Sequence, residues 1–121
     1  MFVLSEFDHE YIESAYDGVA KALKALVEAK IMLEGAQFAR DAAEANHVAL
    51  GLKGSNAAER KADLDRKLMH HTAYIGVYSK QVAKAQLDYD LARIPVSKIK
   101  LHLQLQSQMI AVEELQIGVT Q

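Results

Sequence analysis

Two apolar series run in step between Asp8 and Leu50, and they restrict this chain to long packed helices. One reads Ile12, Val19, Leu26 and Leu33. The other, three residues on, reads Ala15, Ala22, Ala29, Ala36 and Ala43. Apolar residues alternately three and four apart, sustained over several heptads, draw one narrow stripe on an α-helix, the seam of a coiled coil. One column of this seam is built of large aliphatics and the other of methyl groups. A methyl column lets a partner helix come closer than the usual spacing of about 8–10 Å. Alanine is also a good helix former in its own right, but propensity alone does not keep alanines in strict phase. At about 1.5 Å per residue the stretch is roughly 65 Å long, which suits a coiled coil better than a globule.

The segment Gly51-Leu52-Lys53-Gly54-Ser55 breaks this helix. Gly51 suits the left-handed position that ends a helix. Asn56 followed by Glu59 reads as a capping box that opens the next one. A seam then resumes as Leu64, Leu68, His71, Ile75, Tyr78, Val82, Ala85, Tyr89 and Ala92, again in steps of four and three. The spacing predicts a helix over 8–50, a turn over 51–55 and a second helix over 56–93. A turn near His70-His71-Thr72 is the alternative to an unbroken second helix. Pro95 lacks an N–H and disfavours the helical conformation at Ile94. Val96, Ile99, Leu103 and Ile110 nevertheless keep the phase, which predicts a third helix over 96–117. That helix either folds back or continues the second through a proline kink. Ile99, Leu101, Leu103 and Leu105 also alternate with polar residues at strand period, but a lone strand is not stable. The expected fold class is all-α: a long antiparallel helical hairpin of coiled-coil type with a third, C-terminal helix after Pro95, in a single domain over 1–121.

A turn centred near Leu52-Lys53 sets the register. Ala29 then faces Gly76, Ala43 faces Ala62 and Ala22 faces Ala83, so small residues meet small ones, and Gly76, Val82 and Ala85 join the expected seam. Gly18 and Gly35 read as points of close approach or slight bends. Arg40 occupies a large-residue seam position, and the register puts it opposite Asp65. Either Ser5 or Asp8 is placed to cap the first helix.

Composition narrows the function classes. Half of the residues are apolar (50%) and a quarter charged (25%), a folded composition. No apolar run approaches the roughly 18 residues of a membrane span. Met1–Phe7, with Phe2, Val3, Leu4 and Phe7, lacks the basic region and apolar core of a signal peptide. With no cysteine there is no disulfide or thiol chemistry, which fits a cytoplasmic protein. The serines have no nucleophile elbow around them and there is no Walker loop. Five histidines invite a search for a metal site, but none repeats at His-x-x-x-His, and no two helices each carry the Glu-x-x-His that di-iron bundles need. No metal, no cofactor and no enzymatic activity are expected.

Two binding readings remain. Val27, Ile31, Met32 and Phe38 lie off the seam of the first helix, more apolar surface than one hairpin covers, so they are candidate contacts for an oligomer or a protein partner. The other reading is nucleic acid. The net charge of −2 argues against a wholly basic surface, but Leu91–Val112 carries Arg93, Lys98 and Lys100 and no Asp or Glu. Lys53 and Arg60 stand at the start of the second helix, where free backbone N–H groups attract anions. Gly51-Leu52-Lys53-Gly54 has the GxxG form of KH-domain loops. That fold needs a sheet, and a glycine turn is the better reading. No aromatic residue lies in Leu91–Val112 to stack on bases.

The turn Gly54-Ser55-Asn56-Ala57-Ala58-Glu59-Arg60 and the seam after it resemble a group of short bacteriophage proteins with two long helices, a Gly-Lys-Asn turn and a Glu-Arg pair. The middle residue here is Ser55, a departure from that turn. The resemblance covers about Ala29–Ile99 and carries no catalytic residues. It implies a viral accessory protein acting on nucleic-acid machinery or on a defence system.

Overall fold

A computed structural model describes residues 8–120, which form three helices and, among the described residues, no strand. The fold is all-α. Helix α1 spans His9–Leu50, α2 spans Ala57–Lys67 and α3 spans Met69–Thr120. Asp8 opens α1, its carboxylate accepting the Tyr11 N–H at 2.7 Å. Ser5, the other candidate cap, lies outside the described residues. At 99–105 the strand-like alternation is helical.

The chain divides into two compact units. In unit 2, Lys24–Leu87, the buried residues are Leu26, Asp63, Leu68 and Ala85, and the Leu68 side chain is fully buried. Unit 1 combines the chain up to Leu23 with that from Asp88 onward. Its core holds Val96 and Ile99 of α3, and Ile12, Ala15, Val19 and Ala22 of α1 are half-buried.

Two element boundaries differ from the expectation. The second helix is not unbroken over 56–93: α2 ends at Lys67, and Leu68 takes φ −95° and ψ 4° before α3 begins. The interruption lies just before the His70–Thr72 stretch that was the alternative. Hydrogen bonding continues across it, from Leu68 N–H to Leu64 C=O and from Thr72 N–H to Leu68 C=O, both at 2.9 Å. The phase of the seam is therefore kept. The second difference is at Pro95, where no separate helix starts at 96: α3 runs through the proline. Proline inside a helix costs about 3 kcal/mol, and burying a large aliphatic side chain returns roughly 1.5–3 kcal/mol. Val96 and Ile99, immediately after the proline, are both buried, and together they offset that cost.

Candidate interaction surface

The seam sets which side of α1 is covered. Leu26 is buried, and Ile12, Ala15, Val19, Ala22, Ala29, Leu33, Ala36 and Ala43 are half-buried, as are Arg40 and His47 in the same phase. Apart from these, only Gly18 and Glu44 among the described α1 residues are half-buried, and the others are exposed. On α3, Val82 is half-buried and Ala85 buried. Gly76 is exposed, and a Cβ added there would meet nothing within 4 Å. The close approach expected at Gly76 is therefore open space. Gly18 and Gly35 likewise have nothing within 4 Å.

Along one edge of the seam, unit 2 holds an apolar groove of about 540 Å³. Ile31, Met32, Gly35, Ala36 and Ala39 form its α1 side, and His71, Tyr74 and Tyr78 its α3 side. Gly35 and the alanines make the floor shallow, because they leave the helix backbone uncovered by larger groups. Ile31, Met32 and Tyr74 stand at the rim, each at least half exposed. The groove thus brings together two of the four candidate contacts, Ile31 and Met32. Val27 and Phe38 do not line it; both are exposed, Phe38 at 76%.

The turn between α1 and α2 is fastened by carboxylates. Gly51 and Gly54 take φ of 95° and 137°. Asn56 caps α2 by accepting the Glu59 N–H at 2.9 Å. The Glu59 carboxylate reaches back to Ser55, accepting its N–H at 2.7 Å and its hydroxyl at 2.9 Å, and these two bonds hold its pKa below the ordinary value. Asp63 is buried at 5% exposure. It accepts the Lys53 N–H at 3.0 Å, pairs with Lys67 Nζ at 3.1 Å and also accepts from Arg66. The Lys53 N–H first, then Lys67, holds its carboxyl at about 2, against the upward push of burial.

This carboxylate was not anticipated. The expected ion pair was Arg40 with Asp65, but Arg40 pairs at 3.3 Å with Glu44, one turn along its own helix. No salt bridge joins Arg40 to Asp65. The signal that would have found Asp63 is its spacing: Arg66 and Lys67 follow at i+3 and i+4, the favourable acid-before-base order on a helix.

The basic candidates fall into two sets. In unit 2, the start of α2 is already occupied by Asn56 and Glu59, and Arg60 donates to the Gly54 C=O at 3.5 Å. The hollow beside Lys53 also contains Glu59 and Asp63, which repel a phosphate. In unit 1, Lys98 and Lys100 are exposed, and the Arg93 guanidinium lies 5.5 Å from the centre of the Tyr89 ring. Among the described residues no cluster of three or more metal-ligating side chains occurs, and no helix is long and apolar enough to cross a membrane. No family model, curated protein or solved structure matches this chain.

Proposed function

We propose that the chain is a non-enzymatic helical interaction protein that associates with itself and docks a helical segment of a protein partner. Its helices pair as a long antiparallel hairpin with a coiled-coil seam, and its outer apolar faces do the binding. The observation that carries the reading is the groove of Ile31, Met32, Tyr74 and Tyr78, where large apolar groups face water. Apolar surface gains free energy when covered, at about 25 cal/mol per Å², and a groove between two helices accepts the apolar face of a third. Among the described residues, long helices with a shallow open groove make a poor setting for catalysis. The resemblance of Gly54–Arg60 to short bacteriophage proteins supports a viral accessory role, acting in the host cytoplasm on nucleic-acid machinery or a defence system.

A second reading is a nucleic-acid-binding accessory protein, favoured by Arg93, Lys98 and Lys100 in a stretch without acidic residues. Fluorescence anisotropy with a labelled single-stranded oligonucleotide at about 50 mM salt separates the two, because each phosphate contact adds nearly one unit of salt slope. The interaction reading expects no binding tighter than about 10 μM, well short of a specific nucleic-acid complex. Sub-micromolar binding that weakens steeply with salt would favour the second reading instead.

A further inference from the structure

Opposite the side of α3 that carries buried Val96 and Ile99 runs a second stripe. It reads Leu91, Ile94, Lys98, Leu101, Leu105, Gln108, Val112 and Leu115, in alternating steps of three and four without a slip. At about 100° per residue its centre lies roughly 200° around the helix from the inner seam. Its apolar members are 46–71% exposed. Leu105, Gln108 and Val112 also line an open apolar hollow of about 540 Å³. Within unit 1, α1 contributes only the residues from His9 to Leu23, whereas α3 contributes the much longer stretch Asp88–Thr120. Heptad spacing is the pattern that a further helix, not solvent, matches.

The geometry points to a second copy of this chain as the helix that covers this stripe, its α3 lying antiparallel to the first about a two-fold axis between Leu101 and Leu105. In that register Leu101 meets Leu105 of the second copy, Ile94 meets Val112, and Leu91 meets Leu115. The two polar members, Lys98 and Gln108, meet each other. Every apolar position falls on an apolar one, and the match is its own mirror across the axis, as an isologous dimer requires. Parallel pairing of the same stripe sets Lys98 against Lys98, like charges in a seam. Lys98 therefore acts here as the residue that selects orientation, a known use of one polar group in a coiled-coil seam. This inference rests on the reading of the chain as a self-associating interaction protein, and it names the surface that joins the copies.

The chain has no cysteine, so engineered ones report pairing without background. Chains bearing Leu91→Cys and chains bearing Leu115→Cys are mixed and oxidised under mild conditions. Both changes replace exposed leucines, so the core is untouched. The antiparallel register brings Leu91 of one copy onto Leu115 of the other, whereas like positions sit about 36 Å apart. The expected result is a disulfide-linked dimer from the mixture and none from either chain alone. Self-linking by each chain alone overturns the inference in favour of parallel pairing. No linking at all, while the wild type sediments as an oligomer, overturns it and leaves the proposed function standing with another surface. A monomeric wild type overturns both. Lys98→Leu, which makes the stripe apolar, should tighten the antiparallel dimer about tenfold or more. Weaker association in that variant would also overturn the register.

Discussion

Gly54→Ala tests how tightly the turn is bound to α2. A Cβ at Gly54 would stand 2.6 Å from Glu59 Cβ, 2.8 Å from Arg60 N and 2.9 Å from Glu59 C. Two of those atoms are backbone, so no side-chain rotation relieves the overlap, and the first turn of α2 must move. The φ of 137° adds a conformational cost of about 1–3 kcal/mol for a residue other than glycine. Moving the helix start also loosens the Asn56 cap, which is worth about 1 kcal/mol. The sum is a loss of roughly 2–4 kcal/mol. Gly51→Ala is the matched control: its φ is 95°, but nothing lies within 4 Å of the added carbon. It should cost only the left-handed strain of about 1–2 kcal/mol. Urea unfolding followed by far-ultraviolet circular dichroism measures both. Equal losses for the two variants would refute the close-contact argument, and an unchanged Gly54→Ala protein would refute the geometry of the turn as a whole.

Two further outcomes follow from single residues. Asp63 is held at about 2, below its ordinary 3.8. Its carboxylate therefore contributes stability in full above 3.8, and the contribution is lost as pH falls through about 2. Asp63→Asn should lower stability at neutral pH and flatten the acid limb of the urea midpoint against pH; an acid limb parallel to the wild type would show that other carboxylates control it. Pro95→Ala restores a backbone donor inside α3 and should raise stability by about 1–3 kcal/mol, whereas a fall would mean that the packing of Val96 and Ile99 needs the proline.

The all-α class was legible because the heptad spacing of α1 repeats for most of its length. The burial pattern follows the same phase, from Ile12 to His47. The start of α2 was legible for a local reason: Asn56 and Glu59 are spaced to satisfy nearby N–H groups, and they do so at Ser55 and Glu59. The interruption at Leu68 and the passage through Pro95 were legible only as alternatives, a turn near His70–Thr72 and a second helix continued through a kink. Both turn on burial of residues brought in by the fold, and a local rule sees only the missing donor or the unbroken phase. Arg40 was assigned a distant partner because the register supplied one, while Glu44 was the nearer carboxylate. The second stripe of α3 was hidden because Ile99, Leu101, Leu103 and Leu105 merge the two faces into a strand-like alternation. Burial sets Ile99 apart from Leu101 and Leu105, although Leu103, in phase with Ile99, is exposed as well. In the groove, Ile31 and Met32 were visible as surplus apolar residues, but their partners Tyr74 and Tyr78 depend on how α3 packs against α1 in unit 2.

Sedimentation equilibrium of the wild-type chain addresses self-association most directly, at micromolar concentration and at both about 0.05 M and about 1 M salt, where charge contacts are screened to a few ångströms. Association through apolar helix faces predicts a mass above the 13.4 kDa of one chain at both salt concentrations. A mass of 13.4 kDa at every concentration and both salts would contradict it, since the exposed stripe and groove would then have no second copy to cover them.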